Sequence, residues 1–377
     1  MDRNPRGQFP FDAFLWPAAA AASALETASY VAAYFAGLRA DEDRTPEEPA
    51  GATPSKLALE LPSVRLHDFT LGGTGVPTLL CTPLSLHGAA VADLAAGHSL
   101  VAALREAGTE RLFMADWRSA GPEMRFLGID DYLADLNVLV DHLGGEVDLV
   151  GLCQGGWLSL VYAGRFPAKV RKLVMAGAPV DTIAAPSKLS SVAAATPLAM
   201  FKALVNAGEG RVLGRDAAKL WGTDVFDENA IRDALQNQEP AGSPEFGRLQ
   251  DTFEKWNGWT IDVPGAYYLE VIERLYRRNE LATGSFVALG QTIDLSRIRT
   301  PMYLLAASAD DVVAPEQLLA LLELTGTRPE EVRYEVAPCN HLALFMGRQT
   351  LNEYWPRIAR WIKEPAAAKQ RQRLTRK

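Results

Sequence analysis

The stretch "VDLVGLCQGGWLSLVYAGRFP", Val147 to Pro167, sets Cys153 between Gly151, Gly155 and Gly156 where an apolar run gives way to a helical pattern. A side chain displayed at a strand's carboxyl end needs a very tight turn, and its neighbours two positions away must be small. Gly151 and Gly155 meet that demand, and the pentapeptide is the nucleophile elbow G-x-S-x-G with sulfur in place of oxygen. A helix starting directly after the turn aims backbone N–H groups at the thiol and favours its thiolate. The N–H of Gln154 is then a candidate donor to an oxyanion. A second donor is expected from the loop after an early strand, "CTPLSLHGAA", near Ser85 to His87, with Leu86 at its centre.

An elbow calls for an acid and then a histidine, in that order, at the ends of later strands. "LLAASADDVVAP" supplies Asp310 and Asp311, and "YEVAPCNHLALFMG" supplies His341. A lone Asp after a strand is usually a cap, and a lone His is usually structural. Three partners in the required order outweigh those readings together. Cys153, paired with His341, suits exchange between thioesters, since incoming and departing sulfur leave equally well. His87 is read as not catalytic, His67, His98 and His142 as surface or capping residues, and Cys81 and Cys339 as packing.

The elements that must position these residues follow from hydrophobic patterning. Apolar runs at Val76–Pro83, "RLFMADW", "VDLVGLC", "VRKLVMAGAP", "PMYLLAAS" and "VRYEVAP" alternate with amphipathic segments such as "HSLVAALREAG", "DDYLADLNVLVDHLG", "PEQLLALLELTG" and "YWPRIARWI". That alternation predicts an α/β protein with a mostly parallel, doubly wound sheet covered on both faces. Between about 182 and 299 it lapses into a helix-leaning, aromatic stretch, read as an insertion capping one edge of the sheet. Residues 1–60 read as an Ala-rich helix, Phe14 to Leu38, and a charged, Pro-rich linker. Residues 61–363 read as the catalytic domain and 364–377 as a basic, disordered tail.

The 377 residues are 48% hydrophobic and 22% charged, with a formal net charge of −8, which argues against a nucleic-acid binder. Three cysteines make neither a disulfide framework nor a metal site, so a reducing, cytoplasmic setting without metal or cofactor is expected. The N-terminus has early arginines and an apolar run, but Asp2, Asp12 and Pro17 fit a secretion signal badly, and no run reaches membrane-spanning length.

"GLCQGG" resembles the lipase-like box of polyhydroxyalkanoate synthases, in which Cys replaces Ser. The likeness extends through the segment "GHSLVAALREAGTERLFMADWRSAGPEMRFLGIDDYLADLNVLVDHL", with Asp116 and Trp117. It continues through "EKWNGWTIDVPGAYYLEVIERLYRRNELATGSFVALGQTIDLSRIRTPMYLLAASADDVVAP", and covers roughly Val76 to Phe345. The resemblance implies an α/β-hydrolase fold and a Cys-His-Asp triad that polymerises 3-hydroxyacyl-CoA with release of CoA. It also implies a homodimer or partner subunit, and a polyester granule as the surface served. The family's D-x-[IV]-x-P pattern points to Asp311, four residues before Pro315, as the acid. The chain departs from the family at Trp259, Val312 and Asn340. Two other readings stay open on the residues: a Cys-nucleophile thioesterase or intracellular polyester depolymerase, and a non-catalytic granule-associated binding protein.

Overall fold

The computed structural model describes residues 46–221, 226–240 and 242–365. The expected N-terminal helix and the basic tail beyond residue 365 lie outside the described residues. Eight strands form one sheet: β1 (Lys56–Glu60), β2 (Val64–Asp68), β3 (Thr78–Cys81), β4 (Leu112–Trp117), β5 (Val147–Leu152), β6 (Val170–Ala176), β7 (Met302–Ala307) and β8 (Val332–Ala337). Their spatial order is β1-β2-β4-β3-β5-β6-β7-β8. β1 runs antiparallel to β2, and β2 antiparallel to β4, while all other pairings are parallel.

The central apolar runs become strands because both faces of the sheet are covered there, so most of their side chains are apolar, whereas the edge strand β8 is largely exposed. Alternate residues go to opposite faces. Leu79, Cys81, Phe113, Ala115, Leu149, Leu173, Met175 and Leu304 pack into one core. Leu80, Leu112, Met114, Val150, Leu152, Val174, Tyr303 and Leu305 pack into the other. Helices α1 (Leu100–Glu106), α2 (Ile129–His142) and α3 (Gln154–Arg165) cross between strands of the first half.

Two expectations are corrected here. β1 lies inside the segment read as linker, so the sheet begins at Lys56 rather than after residue 60. Neither β1 nor β2 was read as a strand. Both sit at the partly exposed end of the sheet, where mixed polar and apolar residues such as "KLALE" suffice.

Between β6 and β7 the chain forms helices α4 (Lys188–Ala195), α5 (Leu198–Ala207), α6 (Gly214–Trp221), α7 (Glu228–Leu235), α8 (Pro244–Gly258) and α9 (Gly265–Glu270). α9 continues as a π-helical stretch, Val271–Arg277. This cap covers the carboxyl ends of the strands rather than one edge of the sheet, since a single cavity is lined from both. It is tied to the core by charge at a helix start: Glu270 Oε2 accepts from the Ile129 N–H at 2.8 Å, satisfying an orphan donor of α2. Among the described residues no single helix is long and apolar enough to cross a membrane.

Candidate active site

The registers place the carboxyl ends of β3, β5, β6, β7 and β8 side by side, with Gly151 beside Cys81, Leu152 beside Ala176 and Ala307 beside Ala337. Chemistry-bearing residues just past these ends therefore converge, as the crevice rule for open α/β sheets requires.

Cys153 leaves β5 at φ +49°, ψ −118° and starts α3. A non-glycine residue with positive φ is strained, and the surroundings must hold it there. Two backbone bonds do so: Cys153 N–H donates to the Ala176 carbonyl, and its own carbonyl accepts from Gly156 N–H, each at 2.9 Å. The flanking glycines serve close approach rather than unusual φ. A Cβ on Gly155 would collide with the Cys81 carbonyl oxygen and lie 2.6 Å from that of Thr82. One on Gly151 would lie 2.5 Å from Gly156 Cα.

His341 follows β8 and stands edge-on to Phe345, ring centroids 5.3 Å apart. Its Nδ1–H donates to Asp310 Oδ2 at 2.7 Å. The same imidazole lines one cavity with Cys153 and lies close enough to it for the sulfur to raise the imidazole's pKa. With Nδ1 on the carboxylate, Nε2 is the nitrogen that remains for the sulfur. Burial alone would lower the His341 pKa, but the Asp310 carboxylate and Cys153 outweigh it and raise it well above the usual imidazole value.

The carboxylate bonded to His341 is thus Asp310, where the sequence pointed to Asp311 as the acid. Asp310 is buried, and its Oδ1 accepts from the N–H groups of Val312 and Val313 at 3.0 and 2.8 Å. Those bonds turn the chain and leave Oδ2 facing the imidazole. Asp311 is exposed at the cavity rim, with its carbonyl accepting from Lys188 N–H at 2.6 Å. The signal that finds Asp310 is its distance from the end of β7, three residues on, rather than its distance from Pro315. The position directly after the acid is then Asp311 and not Val312.

Cys153, Gln154, Leu86, Asp311 and His341 all line one cavity of about 520 Å³. Leu86 has φ +46°. Its loop is held from the cap: Ile261 N–H donates to the Leu86 carbonyl at 2.6 Å, and His87 Nδ1–H donates to the Trp259 carbonyl at 2.7 Å. His87 also lies 4.2 Å from the Trp256 ring, centroid to centroid. Burial pushes its pKa down to about 4, despite the bond to the Trp259 carbonyl, so it is neutral at pH 7. His87 was expected to be no catalytic residue, and its place is that of a tie between loop and cap. Asn340 Oδ1 accepts from Ala343 N–H at 3.0 Å and so caps the turn behind His341.

An elbow thiol sharing a cavity with an imidazole that is itself oriented by a buried carboxylate is a nucleophile arrangement for acyl transfer. The chain belongs to the α/β-hydrolase fold family, whose family model, described as alpha/beta hydrolase fold, matches residues 86–347. It is similar to the poly(3-hydroxyalkanoate) polymerase subunit PhaC of Synechocystis sp., at 27% identity over 90% of this chain and 92% of the relative. It is also similar to the protein of the same name from Allochromatium vinosum, at 26% identity over 72% of this chain and 76% of the relative. Among solved structures, the Paleococcus ferrophilus monoacylglycerol lipase superposes with a TM-score of 0.52 at 17% identity. That likeness covers 79% of this chain and 98% of the lipase and speaks to the fold alone.

Proposed function

We propose that the protein is an acyltransferase that polymerises 3-hydroxyacyl-CoA through an acyl group carried on Cys153. The observation that carries this reading is the convergence of the elbow residue Cys153 and the Asp310-bonded His341 on one cavity, in a chain similar to polyhydroxyalkanoate polymerases over most of its length.

In the first step Cys153 Sγ attacks the thioester carbonyl, and the backbone N–H groups of Gln154 and Leu86 receive the developing oxyanion. Collapse breaks the bond to CoA sulfur, which leaves as the thiol with a proton from His341. In the second step His341 takes the proton of a 3-hydroxyl group, whose oxygen attacks the acyl carbon. The new ester forms, the Cys153 bond breaks, and the sulfur is free again. Asp310 holds the imidazole tautomer through both steps and stabilises the imidazolium. Apolar walls from Leu189, Trp221, Trp256, Val271 and Phe345 suit an acyl chain and disfavour water as the second nucleophile. On this reading the protein works in the cytoplasm at the surface of its insoluble product, with a second copy or a partner subunit.

The test is incubation of the purified protein with 3-hydroxybutyryl-CoA. Free CoA together with insoluble polyester is expected, and Cys153→Ala should abolish CoA release. Free CoA with only soluble hydroxy acid would make the protein a hydrolase. Neither product would make it a binding protein.

A further inference from the structure

Next to the elbow, one hydrogen-bond chain runs in a fixed direction. Trp157 Nε1–H, which can only donate, donates to Gln154 Oε1 at 2.7 Å. That fixes the amide, so Gln154 Nε2–H donates to the Tyr276 hydroxyl oxygen at 2.8 Å. The Tyr276 oxygen is therefore an acceptor in this bond, and its own proton remains to be given away. Among the described residues no protein group takes it. Tyr276 lines the same cavity as Cys153. Burial, with a smaller contribution from the neighbouring Cys153, raises its pKa, so the hydroxyl keeps its proton. The residue lies on the π-helical stretch Val271–Arg277, and such stretches recur where a side chain must be re-aimed at a functional site.

We infer that Tyr276 is a specificity-determining residue that donates a hydrogen bond to the oxygen on carbon 3 of the acyl group held at Cys153. The inference rests on the acyltransferase reading and adds to it the group that distinguishes a 3-hydroxyacyl thioester from an unsubstituted one. The geometry suits this task. The relay ends beside the nucleophile, carbon 3 lies a short way beyond the thioester carbonyl, and the other lining around Tyr276 includes the apolar Val271 and Ile272. A buried donor facing an acyl chain without that oxygen would be left unpaired, which penalises the wrong substrate.

The experiment compares the first turnover of CoA release from 3-hydroxybutyryl-CoA and from butyryl-CoA, in wild type and in Tyr276→Phe. The wild type should favour the hydroxylated thioester, and the variant should lower that preference roughly 10-fold, the worth of one uncharged hydrogen bond. Nearly all of the change should fall on 3-hydroxybutyryl-CoA. Loss of the hydroxyl also frees the Gln154 amide, but any resulting shift of the oxyanion donor would slow both thioesters alike. An equal fall for both substrates, no change, or a wild type without preference would overturn the role given to Tyr276. A wild type that releases CoA from neither thioester would instead overturn the acyltransferase reading.

Discussion

Asp310 Oδ2 lies 2.7 Å from His341 Nδ1, while Asp311, its neighbour in sequence, faces the cavity rim. The two carboxylates are separated by one peptide unit and by the whole difference between a buried, fully bonded group and a solvated one. Asp310→Asn should lower CoA release by about 10³–10⁴-fold, the usual result of losing the acid that fixes a catalytic imidazole. Asp311→Asn should change it by no more than a few-fold. The measurement is thiol release under saturating 3-hydroxybutyryl-CoA, with near-UV circular dichroism to show that both variants fold. Equal losses in the two variants would remove Asp310 from the mechanism.

That pair also shows where a sequence can be read and where it cannot. The meeting of Cys153 and His341 on one cavity was legible because chain order and strand ends define it, and the central strands because burial on both faces leaves continuous apolar runs. Counting from Pro315 led to Asp311 rather than to the carboxylate that bonds His341, because the turn after β7 holds one residue more than that count allows. β1 and β2 escaped because partly exposed strands carry little apolar signal. Tyr276 escaped for another reason: a π-helical stretch breaks the 3.6-residue period that would have predicted which way it points. The tie between His87 and Trp259 spans 172 residues, and no local pattern encodes it.

The glycines of the elbow separate packing from backbone freedom. Gly155→Ala should destabilise the protein by roughly 3 kcal/mol, because the new methyl collides with backbone carbonyls of β3 and its loop, which cannot rotate away as a side chain would. Gly247→Ala is the contrasting substitution. Gly247 lies within α8 with nothing within 4 Å of its would-be Cβ. Its replacement should stabilise by about 0.5–1 kcal/mol through the entropy of the unfolded chain. Urea unfolding midpoints test both, and a tolerated Gly155→Ala would mean that α3 is not pressed against β3.

The third prediction concerns acid. His87 is buried neutral, with a pKa near 4 in the fold against about 6.5 when exposed. Between those values the unfolded chain binds a proton that the folded chain refuses. Its contribution to stability is therefore complete above about pH 6.5 and is lost as pH falls towards 4, by about 3 kcal/mol in all. His87→Asn isolates the effect, since the amide nitrogen can still donate to the Trp259 carbonyl but does not titrate. Wild type and variant should differ in the slope of unfolding free energy against pH between 4 and 6.5, and run parallel above it. Because His87 ties the Leu86 loop to the cap, activity of the wild type should decline in the same window, and the variant should keep more of it. Parallel profiles across the whole range would show that the imidazole is not held neutral, and that some other group sets the acid limit.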